Sequence, residues 1–249
     1  MDGQQSSAVP PAATSFMTRM TNIFTAPSEL YNEVAVAPVQ TTSWLIPFLI
    51  TLFLVIVGVY SVYNNPALRQ QIWDVQEQKM KEQVEKKNMT QEQMDLQLDR
   101  MQNSGPVMFM AFGAGFGSIG VAFMFFGVAL LLWLITKLGF KFSGPYNKIL
   151  EVVGLATIIG ILGSIITLIT MNLMNSMYAT PGPGLAMVGS FDLKNPVHKL
   201  LAALNVFTIW EIAVMGIGIA KVSGKSIGVG IGLLLGLWFI WIACSAFLF

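Results

Sequence analysis

Five long apolar stretches separated by polar breaks constrain this chain more than any other feature: Trp44–Tyr63, Val107–Ile135, Val152–Met174, Leu200–Ala220 and Ile227–Phe249. Between them they hold one charged residue, Glu211. About 20 apolar residues in a helix cross the ~30 Å hydrocarbon core of a bilayer. Backbone N–H and C=O groups find no partner in lipid, so each stretch must be helical and satisfy its own hydrogen bonds. The expected fold class is an all-α membrane protein, a bundle of five transmembrane helices. Composition agrees. Charged residues are 11% of the chain, against about 25% in an ordinary soluble domain. Much of that charge lies in Arg69–Arg100, and 249 residues leave no room for a separate soluble domain.

Residues 1–14 are small, polar and Pro-containing, the composition of a disordered tail. Residues 15–43 read as short helices on the cytoplasmic side. Phe16, Met20, Ile23 and Phe24 share one helical face, which either lies in the headgroup region or packs on the bundle. A second short helix follows, with Thr25 as its cap, Pro27 in its first turn, Glu29 at its positive end and Leu30, Tyr31 and Val34 as its apolar edge. The membrane domain then runs from 44 to 249, and its first stretch serves as an uncleaved signal anchor, because no basic start and short apolar core precede it. Residues 66–102 form an extracytoplasmic helical hairpin between the first two spans. Pro66 opens its first helix, Asn88 breaks it, and Thr90 with Gln93 makes a capping box for the second. Leu68, Ile72 and Val75 on one arm and Met94 and Leu98 on the other form apolar stripes, which either pack on each other or dock a partner.

Orientation follows from Lys and Arg near the span ends. The two short loops with Lys137, Lys141 and Lys148 and with Lys221 and Lys225 carry five basic residues against Glu151 alone. The long loop interleaves six basic with seven acidic residues. The N-terminus and Arg19 are therefore assigned to the cytoplasm and Phe249 to the far side.

Glycine spacing gives the strongest packing signal. Gly224, Gly228, Gly232 and Gly236 recur every fourth residue, with Gly230 beside them. Gly113 and Gly117 repeat the device in the second span, and Ala156, Gly160 and Ser164 in the third. Small residues at this spacing let helix backbones approach closely, within one bundle or between copies of the chain. No match between halves of the chain suggests a two-fold transporter design.

Glu211 is the one ionisable residue inside a span, and such residues usually face the bundle interior and find partners. Asn205, Thr208, Asn172 and Asn175 are its polar candidates. Two readings stand: a proton or ion site, or a neutral carboxyl bonding across helices. Catalytic, cofactor and metal sites have no candidates. His198 has no second His or Cys nearby, Cys244 has no activating charge and no partner for a disulfide, and no phosphate-binding loop occurs.

Ile23-Phe-Thr-Ala-Pro-Ser-Glu-Leu-Tyr31, just ahead of the first span, resembles the lead-in segment of the Yip family, the Ypt-interacting proteins. Asn205-Val-Phe-Thr-Ile-Trp-Glu-Ile-Ala-Val-Met-Gly-Ile-Gly-Ile-Ala220 is similar to the fourth span of its bacterial members, and five spans with almost no tail fit the family plan. The resemblance covers roughly residues 16–249. It implies a five-helix integral membrane protein with a cytoplasmic N-terminus. The Asp-Leu-Tyr-Gly-Pro and Gly-Tyr-Gly motifs of the eukaryotic branch are absent. That argues against binding of a Rab-type GTPase and makes the bacterial branch, in an inner membrane, the closer match. The expected function is a non-enzymatic scaffold or accessory subunit whose partners are the lipid bilayer and other membrane proteins or a second copy of the chain. A small transporter or channel subunit using Glu211 is the alternative. Nucleic acid and cofactors have no place in either.

Overall fold

The computed structural model describes residues 14–103, 105–192 and 194–248; the expected disordered tail, 1–14, lies almost wholly outside them. The described chain is helical: α1 (Phe16–Thr25), α2 (Pro27–Val36), α3 (Thr42–Asn64), α4 (Pro66–Glu85), α5 (Gln91–Gln102), α6 (Pro106–Gly139), α7 (Tyr146–Met174), α8 (Pro196–Ala203), α9 (Val206–Val222) and α10 (Ile227–Leu248), with a 3-10 turn at Pro183–Met187. Four of these, α3, α6, α7 and α10, are long and apolar enough to cross a membrane. Two compact units divide the chain. One takes in Met1–Leu49, Met124–Gly160 and Thr208–Trp241, the other Ile50–Phe123, Ile161–Phe207 and Ile242–Phe249.

Two expected boundaries shift for physical reasons. The third apolar stretch was expected from Val152, but α7 starts at Tyr146, taking Lys148 and Glu151 into its first turns. The fourth, expected as one helix over Leu200–Ala220, is broken. α8 and α9 meet at a bend of 60°. Replacement hydrogen bonds hold the break open: Val206 N–H donates to Pro181 O at 2.9 Å, and Asn205 Oδ1 accepts from Phe207 N–H at 2.9 Å. Every residue around the break except Asn205 is apolar or small, so hydropathy alone runs straight through it.

The first unit is built on the N-terminal half of α7, where Ile149, Val152, Leu155, Ala156 and Ile159 are all inaccessible. α1 and α2 pack on it. Ile23, Leu30, Tyr31 and Val34 are buried in its core, with Phe16, Met20 and Phe24 against the edge. Of the two readings of this face, packing on the bundle is the one realised. Thr25 does not cap α2 but closes α1, its hydroxyl donating to Thr21 O, and Ala26 stands at the junction without a capping side chain. Pro27 and Glu29 take their expected places in the first turn of α2. The start of α3 also rests on α7. A Cβ at Gly154 would overlap the backbone of Trp44, so only glycine admits this approach.

In the second unit, Asn65 caps α4 and Pro66 opens it; Thr90 and Gln93 form the capping box of α5. The two helices contact each other. Leu68 and Met94 are buried and Val75 and Leu98 partly so, which places the stripes largely inward.

The glycines divide. Side chains added at Gly113 and Gly117 would press on Val59 and Val55 of α3, at 2.9 and 2.8 Å. In α10 the close contact is not the expected row. A Cβ at Gly230 would strike the backbone of Gly216 in α9, whereas one at Gly228, Gly232 or Gly236 meets no described residue within 4 Å. Gly224 lies in the turn before α10, with φ +64. The row every fourth residue thus faces away from its own bundle, because the helix's second small-residue face, at Gly230, is the one α9 uses. Gly230→Ala should therefore destabilise the purified protein by about 1–3 kcal/mol, while Gly232→Leu leaves its thermal midpoint in detergent near wild type. The opposite order would mean that α10 turns its other face inward.

Candidate functional site: a buried ion cluster and an intramembrane carboxyl

Arg19 stands on the apolar face of α1, three residues after Phe16 and four before Ile23, so folding that face inward buries its guanidinium completely. Three elements supply its side-chain partners. Its Nε and Nη2 donate to Glu33 Oε1 of α2 at 3.3 and 2.8 Å. Its Nη1 donates to Ser43 Oγ of α3 at 3.0 Å and to Glu151 Oε1 of α7. Lys148, one turn before Glu151, donates to Glu151 Oε2 at 2.9 Å and to the carbonyls of Val34 and Ala37 at 2.8 and 2.9 Å. All three ammonium protons thereby have acceptors, and two of them close the C-terminal end of α2, where free carbonyls favour a cation. Gln40 N–H adds a bond to Glu151 Oε1 at 3.1 Å.

Two positive and two negative charges make the cluster formally neutral. That matters because an unpaired charge taken out of water costs several kcal/mol, whereas a paired and fully hydrogen-bonded one loses far less. Glu33, at the edge, also accepts from the amide and hydroxyl of Thr14, at 3.0 and 2.7 Å. Partial burial pushes its carboxyl up, but the Thr14 hydroxyl, Arg19 and the Thr14 amide outweigh this and hold it below its ordinary value. Tyr31 sits beside the cluster with its hydroxyl donating to Val152 O at 3.0 Å. Burial first, then the charges of Glu211 and Glu151, push the phenol well above its ordinary range, so it serves as a neutral donor.

In sequence, Arg19 and Lys148 stand only as charges on the side assigned to the cytoplasm, and nothing in their spacing joins them to Glu33. Two signals were present: an arginine within an apolar helical face, and Lys148 and Glu151 at i,i+3 directly before an apolar run.

Glu211 lies on α9 in the same unit. Its carboxyl presses against Gly160 of α7 so closely that any side chain there would overlap it. Thr157, one turn earlier, is the side chain within hydrogen-bonding reach, and its own hydroxyl donates to Val153 O at 2.9 Å. Gly160 is thus a packing glycine whose neighbour is a carboxyl rather than a backbone.

The asparagines expected around Glu211 have other partners, in the second unit. Asn172 Nδ2 donates to Ser61 Oγ at 2.6 Å and to Leu168 O at 2.7 Å. Asn65 Nδ2 donates to Asn175 Oδ1 at 3.0 Å, and Gln71 Nε2 to Asn175 O at 2.8 Å. Asn205 caps the start of α9 and reaches Thr167 Oγ1 at 3.4 Å. These residues tie the end of α7 to the corner between α3 and α4. His198, in α8, accepts from Asp192 N–H through Nδ1 at 3.0 Å.

Removing one member of the buried cluster strands the others. Glu151→Gln should destabilise the fold by about 3–5 kcal/mol, read as a lower unfolding midpoint in detergent; a variant melting with wild type would show that the cluster contributes nothing. Glu33 sets a pH dependence. Its folded-state pKa lies below the unfolded value of about 4.3, so its contribution is complete above that value and is lost as pH falls through the folded pKa. The stability advantage of wild type over Glu33→Gln should shrink in acid-titrated melts; an advantage that grows with acid would contradict the assignment.

Residues 21–248 match the Yip1 domain. No curated protein and no solved structure matches the chain. The matched region takes in α2 to α10 and all of the cluster except Arg19, which lies two residues ahead of it. The chain belongs to the Yip1 domain family and is a multi-pass membrane protein.

Proposed function

We propose that this protein is a non-enzymatic membrane scaffold or accessory subunit with five spans, the bent pair α8 and α9 forming the fourth. The uncovered small-residue face of α10 carries this reading. Gly228, Gly232 and Gly236 are spaced for close helix approach, yet among the described residues nothing lies within 4 Å of a side chain added there. A helix of another membrane protein or of a second copy fits that face. Arg19, Glu33, Lys148 and Glu151 are already committed to one another, and Glu211 is wedged against Gly160 with the Thr157 hydroxyl as its neighbour, which supports a structural rather than chemical role. Absence of the eukaryotic motifs supports a bacterial inner-membrane setting, and Lys137, Lys141, Lys221 and Lys225 support a cytoplasmic N-terminus.

Cross-linking in native membranes, followed by purification in mild detergent, tests the function. A complex that survives in wild type and in Glu211→Gln but is lost in Gly228→Leu/Gly232→Leu, with thermal stability retained, is the expected result. A glycine variant that keeps every partner would overturn the reading, as would a proton flux in vesicles that Glu211→Gln abolishes. For orientation, cysteines at positions 141 and 85 in a Cys244→Ala background should label from outside intact cells only at 85.

A further inference from the structure

The second unit contains an open cavity of about 810 Å³ lined by residues of α3, α4, α5, α6 and α7. Its size falls in the ordinary range for ligand sites, ~300–1,000 Å³. The walls contributed by the candidate spans are apolar: Val55 and Val59 of α3, Met108 and Phe112 of α6. Those contributed by the hairpin are different. Trp73 and Gln76 of α4 and Arg100 in the last turn of α5 face the same space.

Arg100 is exposed and makes no hydrogen bond or ion pair to another described residue. A second cation is close by. The Arg69 guanidinium lies over the rings of Tyr63 and Trp73, at 5.2 and 5.4 Å, its Nη1 donates to Tyr63 O at 3.1 Å, and its buried Nε–H has no hydrogen-bond partner among the described residues. Apolar walls on membrane helices, leading to the exposed Arg100 guanidinium of the hairpin, describe one kind of occupant.

We propose that this cavity binds one anionic phospholipid, an acyl chain lying along the seam where α3 and α6 meet and the phosphate at Arg100. Acyl chains are the apolar material that surrounds α3 and α6 in a bilayer. Guanidinium is suited to phosphate because its planar fork of donors matches two oxygens at once. The inference needs membrane insertion alone and stands apart from the scaffold reading.

Native mass spectrometry of the full-length, delipidated protein in detergent tests it. The protein is titrated separately with dioleoyl phosphatidylglycerol, dioleoyl phosphatidylcholine and inorganic phosphate. Wild type should retain phosphatidylglycerol over phosphatidylcholine by about fivefold, the ratio expected from one basic residue at a membrane surface, and should hold no phosphate adduct. Arg100→Gln should bring the two lipids level and Arg100→Lys should keep most of the preference. Met108→Trp and Val62→Phe, which fill the cavity from different helices, should each weaken both lipids; two fillers are used so that a folding defect in one leaves the other decisive. Circular dichroism checks folding. The proposal is overturned if Arg100→Gln keeps the preference, if a folded filler variant binds both lipids as wild type does, or if phosphate alone binds as well as the lipid.

Discussion

The neutral cluster of Arg19, Glu33, Lys148 and Glu151 is the interaction on which the first unit depends. It draws its members from α1, α2 and α7, with Ser43 at the start of α3, and each charge is satisfied by a group from another element or another turn. Apolar burial along α7 could be achieved with the short helices rotated or shifted by a turn. A guanidinium with defined acceptors cannot be shifted without leaving a buried charge unpaired, so the cluster favours one register over its neighbours. Glycine then permits the approach that the cluster demands: Gly154 accommodates Trp44, and Gly218 of α9 accommodates Tyr31 and Val152.

The polar groups of the second unit work differently. Asn65, Asn172, Asn175 and Gln71 are neutral and bond side chain to side chain or to backbone carbonyls near helix ends. Neutral amides exact a smaller desolvation cost than charges and suit helix ends, where carbonyls would otherwise lack partners. Both devices fix helix ends and leave the apolar middles to pack through small residues. The consequence for function is a membrane protein whose built-in polarity is turned to its own architecture. What remains open is the uncovered face of α10 and the cation-rimmed cavity.

Hydropathy made much of this legible. Four of the five apolar stretches are single helices close to their expected limits, the capping box at Thr90 forms as its spacing implies, and the lead-in segment points to the family. What escaped has a common cause: a linear pattern does not say which face of a helix meets which neighbour. The row Gly228, Gly232, Gly236 and the single Gly230 are equally good packing faces in sequence, and only the position of Gly216 decides between them. Lys148 and Glu151 look like loop charges until α1 and α2 supply partners from more than a hundred residues away. Glu211 stands out in sequence as the one ionisable residue of the spans, yet its neighbours, Thr157 and Gly160, lie among residues that read as apolar packing. The break between α8 and α9 depends on Pro181, a loop residue distant in sequence.

A double-mutant cycle on Arg19 and Glu151 tests the central claim most directly. Unfolding free energies would be measured in one detergent for wild type, Arg19→Met, Glu151→Leu and the double variant. If the two side chains form one buried unit, the double variant should be less destabilised than the sum of the singles, with a coupling of about 1–3 kcal/mol. Additivity within roughly 0.5 kcal/mol would contradict it, because two residues that add independently are not holding the N-terminal helices against α7 together.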